Sequence, residues 1–178
     1  MNRMLDEGAN FTISTMRTPA SLMKPMQNIR LKLPVIAMDG AVLYDVNENA
    51  YLKVYVISNA MSLKVFSLIE KQGIPNFANV IIEDMLVIYY QETDDMAQKQ
   101  LIKEMRRSPY RNYVKSEKLD TEITERLKVL KYDSVDYPGY SYLKIYNRNA
   151  TRENMSEYLK NMLNLKKNGH FRKHSGTV

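Results

Sequence analysis

Two patterns near the N-terminus constrain the fold more than any other part of the sequence. Phe11–Thr15 alternates apolar and polar residues as a strand does, and Thr18 and Pro19 then fit the cap and first residue of a helix that extends to about Asn28. The run Val35–Met38 is continuously apolar, which is typical of a strand that is covered on both faces. A strand, a tight loop, a helix and a second buried strand together predict an α/β fold with a partly parallel sheet.

The rest of the chain alternates between predicted strands and helices. In chain order we predict two strands within Ala41–Ser58, a helix from Ser58 or Asn59 to Gly73, a hairpin centred on Asp84 and Met85, a helix capped by Thr93, a short helix over Thr121–Lys131, a strand over Tyr140–Asn147 and a helix over Asn149–Leu163. The first two of these strands meet at the turn-forming sequence VNEN, so the sheet is predicted to become antiparallel there.

Composition excludes several classes of site. The chain has no cysteine and two histidines, His170 and His174, which excludes disulfides, thiolate metal sites and an internal imidazole zinc site. We expect a cytoplasmic protein with no membrane insertion, because the longest apolar run is too short to cross a bilayer. Much of the net charge of +6 lies in Leu165–His174, so we expect a solvated basic tail and no nucleic-acid-binding face.

Thr15, Met16 and Arg17 lie where the first predicted strand ends and the first long helix begins. In open α/β layers, ligands bind beyond the carboxyl ends of the strands, where loop amides and helix N-termini favour anions. A threonine hydroxyl can donate to a phosphate oxygen, and Arg17 offers a bidentate guanidinium. Two interpretations stay open on spacing alone: a phosphate site, or a capped helix that follows an ordinary strand-end threonine and a surface arginine.

The sequence resembles a known family along several stretches. Asn10–Asp45 is similar to the segment of Cof-type phosphatases of the HAD (haloacid dehalogenase-like) superfamily that runs from the second catalytic motif into the cap. In that family one strand ends in a threonine, a small residue and an arginine, and the next in an Asn-Gly-Ala turn. The matching positions here are Thr15–Arg17 and Asp39–Ala41. Tyr137–Leu163 resembles the family's return from cap to core, with Arg152 where the family has a lysine.

Asn76–Glu92 and Arg106–Val114 are also similar to the cap of the same subgroup, so the resemblance covers most of Leu5–Leu163. It implies a Rossmann-like core with an inserted cap. We therefore expect an α/β protein with a partial HAD-like Rossmannoid core over 1–43 and an α/β cap of antiparallel sheet plus helices over 44–140. A return to the core is expected over 141–164, followed by a basic flexible tail over 165–178. Around Thr121 the cap is expected to lack one strand of the family pattern.

The resemblance also implies roles for individual residues. In such enzymes an aspartate attacks phosphorus, a second aspartate acts as general acid and base, and magnesium neutralises the phosphoryl charge of a phosphomonoester such as a sugar phosphate. Thr15 and Arg152 would bind the phosphoryl group, and Arg17 would either hold substrate or pair with a neighbouring carboxylate. Asp39 and Gly40 are substrate-side candidates, and Asp39 also fits the role of a structural acid in a turn.

Two family motifs are missing from the sequence. Asp-x-Asp occurs nowhere in the chain, and no glycine is followed by aspartate, as the family's last magnesium-binding motif requires. We therefore expect no catalytic residue and no metal ligand here, and a catalytically inactive fragment of a magnesium-dependent family. The partial core also predicts self-association or a partner chain. The alternative is a non-catalytic binding or interaction module that uses the cap cleft or the basic tail.

Overall fold

The computed structural model describes residues 1–73, 76–82, 84–90, 94–105, 112–115, 127–133 and 141–164. The predicted basic tail and Thr93 lie outside these ranges. The helices are α1 (Asn2–Asp6), α2 (Pro19–Met26), α3 (Asn59–Lys71), α4 (Met96–Met105) and α5 (Arg152–Met162). The strands are β1 (Val35–Ala37), β2 (Val42–Asp45), β3 (Ala50–Val54), β4 (Phe77–Ile82), β5 (Met85–Tyr90), β6 (Asn112–Lys115), β7 (Leu127–Asp133) and β8 (Ser141–Asn147).

The N-terminal sheet combines parallel and antiparallel pairing. β1, β2 and β3 are neighbours in that order, and both pairings are antiparallel. On its other side β1 meets the predicted first strand, where Ser14 forms a single parallel bridge with Ile36. The Thr15 amide donates to the Ile36 carbonyl at 2.8 Å, and the Ile36 amide donates to the Ile13 carbonyl at 2.8 Å. Ile13–Thr15 is therefore a short extended segment that pairs with β1 in parallel, and the predicted change to antiparallel pairing after β1 is confirmed.

β1 lies at the centre of the core, as its apolar run predicts. All three of its residues are 0% exposed. Val35 and Ala37 belong to one buried cluster and Ile36 to another, because successive side chains of a strand point to opposite faces. The first cluster includes Leu5, Leu22 and Leu31, and the second consists of Ile36, Leu43, Met155 and Leu159. α5 therefore covers one face of the sheet, and the N-terminal helices cover the opposite face.

Side-chain caps begin two of the helices, and the cap of α3 is one of the two residues that the sequence predicts. Ser58 caps α3 by accepting from the Met61 amide at 3.3 Å. Thr151 caps α5 by accepting from the Asn154 amide at 3.0 Å. α2 begins with Pro19 directly after Thr18, although the Thr18 side chain makes no capping hydrogen bond.

The remaining strands form two further groups. β4 and β5 are a hairpin that turns at Asp84, as predicted, and β6 pairs with β5 in parallel. The sequence analysis did not predict β6. β7 pairs with β8 in an antiparallel ladder of seven residue pairs.

The predicted helix over Thr121–Lys131 is wrong from Leu127 on, because Leu127–Asp133 is the strand β7, and residues 121–126 lie outside the described ranges. Leu127 and Leu130 fit a helical period, but Leu127 and Val129 fit strand alternation equally well, and pairing with β8 decides between them. A strand therefore lies where the cap was expected to lack one. The predicted boundary between core and cap, at residues 43 and 44, stays a prediction, and it falls within β2.

None of the helices in the described ranges combines the length and the apolar composition needed to cross a bilayer.

The open edge of β3 predicts that the chain associates with itself. Among the described strands, β3 has one paired neighbour, and the exposed fractions of Leu52 and Val56 next to this edge are 40% and 65%. Open edges with apolar side chains favour pairing between chains. We expect the purified chain to show a sedimentation coefficient that rises with concentration, and Val56→Lys to reduce the rise. A monomer with a sharp melting transition at every concentration would contradict the prediction.

Candidate functional site

The candidate site is built on an unusual turn after β1. Met38, Asp39 and Gly40 all have positive φ, at 51°, 55° and 92°. Aspartate and glycine tolerate this left-handed region, whereas methionine rarely adopts it. Backbone hydrogen bonds hold the turn to the loop that follows the first extended segment: the Met38 amide donates to the Arg17 carbonyl and the Asp39 amide to the Thr15 carbonyl, both at 3.0 Å. Residues 15–17 and 38–40 are therefore fixed together, as expected for neighbouring strand ends.

Gly40 lets the start of α5 approach this turn. A Cβ added at Gly40 would lie 2.2 Å from both the carbonyl carbon and the oxygen of Thr151, and 2.5 Å from the Arg152 nitrogen. These distances leave no room for a side chain, and the positive φ also favours glycine. Gly40 therefore allows the backbone packing that brings Arg152 to the turn, and its predicted place on the substrate side stays a prediction.

Asp39 is a buried carboxylate that faces two cations. Its side chain is 6% exposed. Its Oδ1 accepts from Arg152 Nη2 at 2.8 Å, and its Oδ2 lies 3.9 Å from Lys144 Nζ. Asp39 and Arg152 are separated by 113 residues in sequence, so the fold alone brings these two predicted site residues together.

Lys144 is a site residue that the sequence analysis missed. Its Nζ lies 3.5 Å from the Met16 carbonyl oxygen, at the limit of hydrogen bonding, and its side chain is 31% exposed. Burial lowers the pKa of Lys144, the Asp39 carboxylate opposes that shift, and the Arg152 guanidinium adds to it. One signal that could have revealed it is an isolated lysine in the alternating strand that leads to Arg152.

Thr15 and Arg17 contact the turn at residues 38–40 mainly through their backbone carbonyls. Thr15 Oγ1 accepts from the Arg17 amide at 3.2 Å, which fixes the hydroxyl oxygen while its O–H can still donate. The Arg17 side chain is exposed, and no ion pair joins it to any residue of the described ranges. Of the two roles considered for Arg17, pairing with a neighbouring carboxylate is therefore not seen in this part of the chain.

The charge of the site favours an anion. Arg152 and Lys144 face one carboxylate, and the backbone of Arg17 is attached to the same turn. The side chain of Arg152 is 46% exposed, so part of its guanidinium is open to solvent. Arg152 is also the first residue of α5, where the helix dipole adds positive potential.

The donor set does not fit the magnesium ion that the resemblance implies. Magnesium prefers oxygen ligands and is usually held by one or two carboxylates. Asp39 is buried here between two cations, and no group of three or more acidic, histidine or cysteine side chains suited to a metal occurs among the residues the model describes. The side chains present at the turn therefore fit an anion better than a divalent cation.

Comparisons with known proteins agree with this fold. The family model for haloacid dehalogenase-like hydrolases matches residues 1–170. The crystal structure of a Eubacterium rectale protein is 14% identical with a TM-score of 0.63, covering 92% of this chain and 66% of the other. A haloacid dehalogenase-like hydrolase from B. subtilis is 15% identical with a TM-score of 0.61, covering 92% of this chain and 70% of the other. No curated protein matches the sequence.

Likeness at these identities shows the fold alone, and it confirms the predicted α/β architecture. The chain spans slightly less than two thirds of the Eubacterium rectale structure.

Proposed function

The chain belongs to the haloacid dehalogenase-like hydrolase family, and on this premise we propose that it binds the phosphoryl group of phosphomonoesters, such as sugar phosphates, at the turn around Asp39. The observation that carries the proposal is the pair Arg152 and Lys144, which meet beside the loop at residues 15–17. A guanidinium, an ammonium, a helix N-terminus and a threonine hydroxyl are the groups that recognise phosphate oxygens.

Each group has a separate part in binding. Arg152 donates one N–H to Asp39 at 2.8 Å, which orients the guanidinium and leaves other N–H groups to donate to a phosphate. Lys144 adds a compact positive charge next to the Met16 carbonyl. Thr15 would donate its O–H to a phosphoryl oxygen. Arg17, whose side chain is exposed, would contact the part of the ester that faces solvent.

We further propose that these residues bind a phosphate ester without hydrolysing it. Magnesium, where a family member binds it, neutralises phosphoryl charge. In this chain Asp39 is paired with cations rather than placed among other acids, and the sequence has no Asp-x-Asp motif. The alternative of an interaction module that uses the basic tail concerns residues outside the described ranges.

Phosphate binding supplies the test of this proposal. Titrating the chain with inorganic phosphate should shift the amide resonances of Thr15, Arg17 and Arg152 in a saturable manner. Arg152→Ala should weaken binding by roughly tenfold or more, because a hydrogen bond to a charged group contributes about 1.5–3 kcal/mol. The measurement is the Kd from the titration.

Arg30→Ala is the matched control, because Arg30 is an exposed arginine that pairs with Asp6. It removes the same charge and should leave the Kd nearly unchanged. Equal losses in the two variants would indicate general attraction to a basic protein and would contradict a site at Arg152.

A further inference from the structure

Asp39 contacts the same two cations, Arg152 and Lys144, that are proposed to bind a phosphate. The proposed function gives its carboxylate no role toward that ligand. Among the described residues Asp39 is the one charged side chain that is buried, with 6% of the side chain exposed. The left-handed turn and the amide bond to the Thr15 carbonyl fix its position. The turn therefore sets the position of the Asp39 backbone, and the contacts with Arg152 and Lys144 hold its carboxylate.

The carboxylate and a phosphate would use the same two cations. Asp39 Oδ1 is 2.8 Å from Arg152 Nη2 and Oδ2 is 3.9 Å from Lys144 Nζ, so both oxygens face positive groups. A phosphate that binds Arg152 and Lys144 would lie within a few ångströms of Asp39, where like charges repel strongly in a partly buried site. In the absence of a ligand, the carboxylate also reduces the repulsion between the two cations.

We propose that Asp39 is a built-in competitor that limits the affinity of this site for phosphate. The carboxylate stabilises the unliganded pair of cations. Because it neutralises part of their positive charge, the electrostatic attraction between the cations and a phosphate is weaker than it would be without Asp39. The site consequently discriminates by ligand charge, because the repulsion from Asp39 grows with the negative charge on the ligand. This inference rests on the proposed function, since it assigns a regulating residue to the same phosphate site.

Asp39→Asn tests the inference, because asparagine keeps the shape of the side chain and tolerates a positive φ. Inorganic phosphate is titrated into both proteins in the presence of a chelator, and amide shifts report binding. We expect the Kd of the variant to be about tenfold lower than that of the wild type, as removal of one nearby charge predicts. We also expect phosphate to raise the melting temperature of the variant more than that of the wild type.

Glu48→Gln is the matched control, because Glu48 is an exposed acid in the turn between β2 and β3. It changes the net charge equally, so a similar tightening in this variant would overturn the inference. An unchanged or weaker Kd in Asp39→Asn, with the wild type still binding phosphate, would overturn it and leave the proposed function intact. Absence of phosphate binding in both proteins would overturn the proposed function itself.

A second measurement does not depend on the variant. In the wild type, phosphate should shift the resonance of the Asp39 carboxyl carbon and leave that of Asp45 unchanged. Among the described residues, Asp45 accepts hydrogen bonds from its own turn amides at Asn47 and Glu48, away from Arg152. A carboxyl resonance of Asp39 that stays constant while Arg152 reports binding would also overturn the inference.

Discussion

Replacing Gly40 by alanine is expected to lower the free energy of unfolding by about 2–5 kcal/mol, which combines the backbone strain of a left-handed residue with forced overpacking. The added Cβ would lie 2.2 Å from the Thr151 carbonyl atoms and 2.5 Å from the Arg152 nitrogen. Because these are backbone atoms, a side-chain rotation cannot relieve the contact, and the start of α5 has to move. Urea unfolding of the variant and the wild type measures the loss.

Gly8→Ala separates the two causes of this loss. Gly8 has a φ of +93°, nearly the same as the +92° of Gly40, but an added Cβ would find no atom within 4 Å. The control should therefore lose only the backbone strain, about 1–2 kcal/mol. An equal loss of unfolding free energy in the two variants would mean that the start of α5 does not pack closely against the turn at Gly40. Since α5 carries Arg152, Gly40→Ala should also weaken phosphate binding.

Incubation of the chain with an aryl phosphate and magnesium is expected to give no turnover above the buffer rate. Hydrolysis through an aspartyl intermediate needs a carboxylate in line with phosphorus, and the sequence lacks the motif that supplies one. Enzymes typically accelerate their reactions by roughly 10⁶-fold or more, so the expected result differs from that of an active family member by orders of magnitude.

Thr15→Ala decides whether any observed turnover belongs to the chain. A contaminating phosphatase would give the same rate in both preparations, and an active family member assayed in parallel shows that the conditions support catalysis. Turnover that disappears in Thr15→Ala would contradict the proposed inactivity, and another nucleophile would then have to be sought.

The sequence predicts the elements whose signals are local. The apolar run of β1, the proline that opens α2 and the serine that caps α3 each determine their structure within a few residues. β7 was predicted wrongly because Leu127–Lys131 fits both a helical and a strand pattern, and its partner β8 begins only at Ser141. Where two periods fit equally well, contacts distant in sequence decide.

The candidate site could be predicted only in part, for the same reason. The resemblance marks Thr15, Asp39 and Arg152, but no short-range pattern indicates that Asp39 would be buried against Arg152. Lys144 was missed because a lysine in a strand is usually a solvent-facing residue. Its proximity to Met16 and Asp39 follows from the way β8 returns to the N-terminal loop, which is a property of the whole fold.

The position of α5 late in the chain has a consequence for synthesis. Met155 and Leu159 cover Ile36 and Leu43, yet more than one hundred residues separate the two pairs. At ~5–20 residues per second, a ribosome takes roughly 5–20 s to make that interval. During this time α5 does not yet cover the face of the N-terminal strands that carries Ile36 and Leu43. We therefore expect nascent chains to be most prone to aggregation before α5 is made, and slower translation of residues 45–150 to lengthen that period.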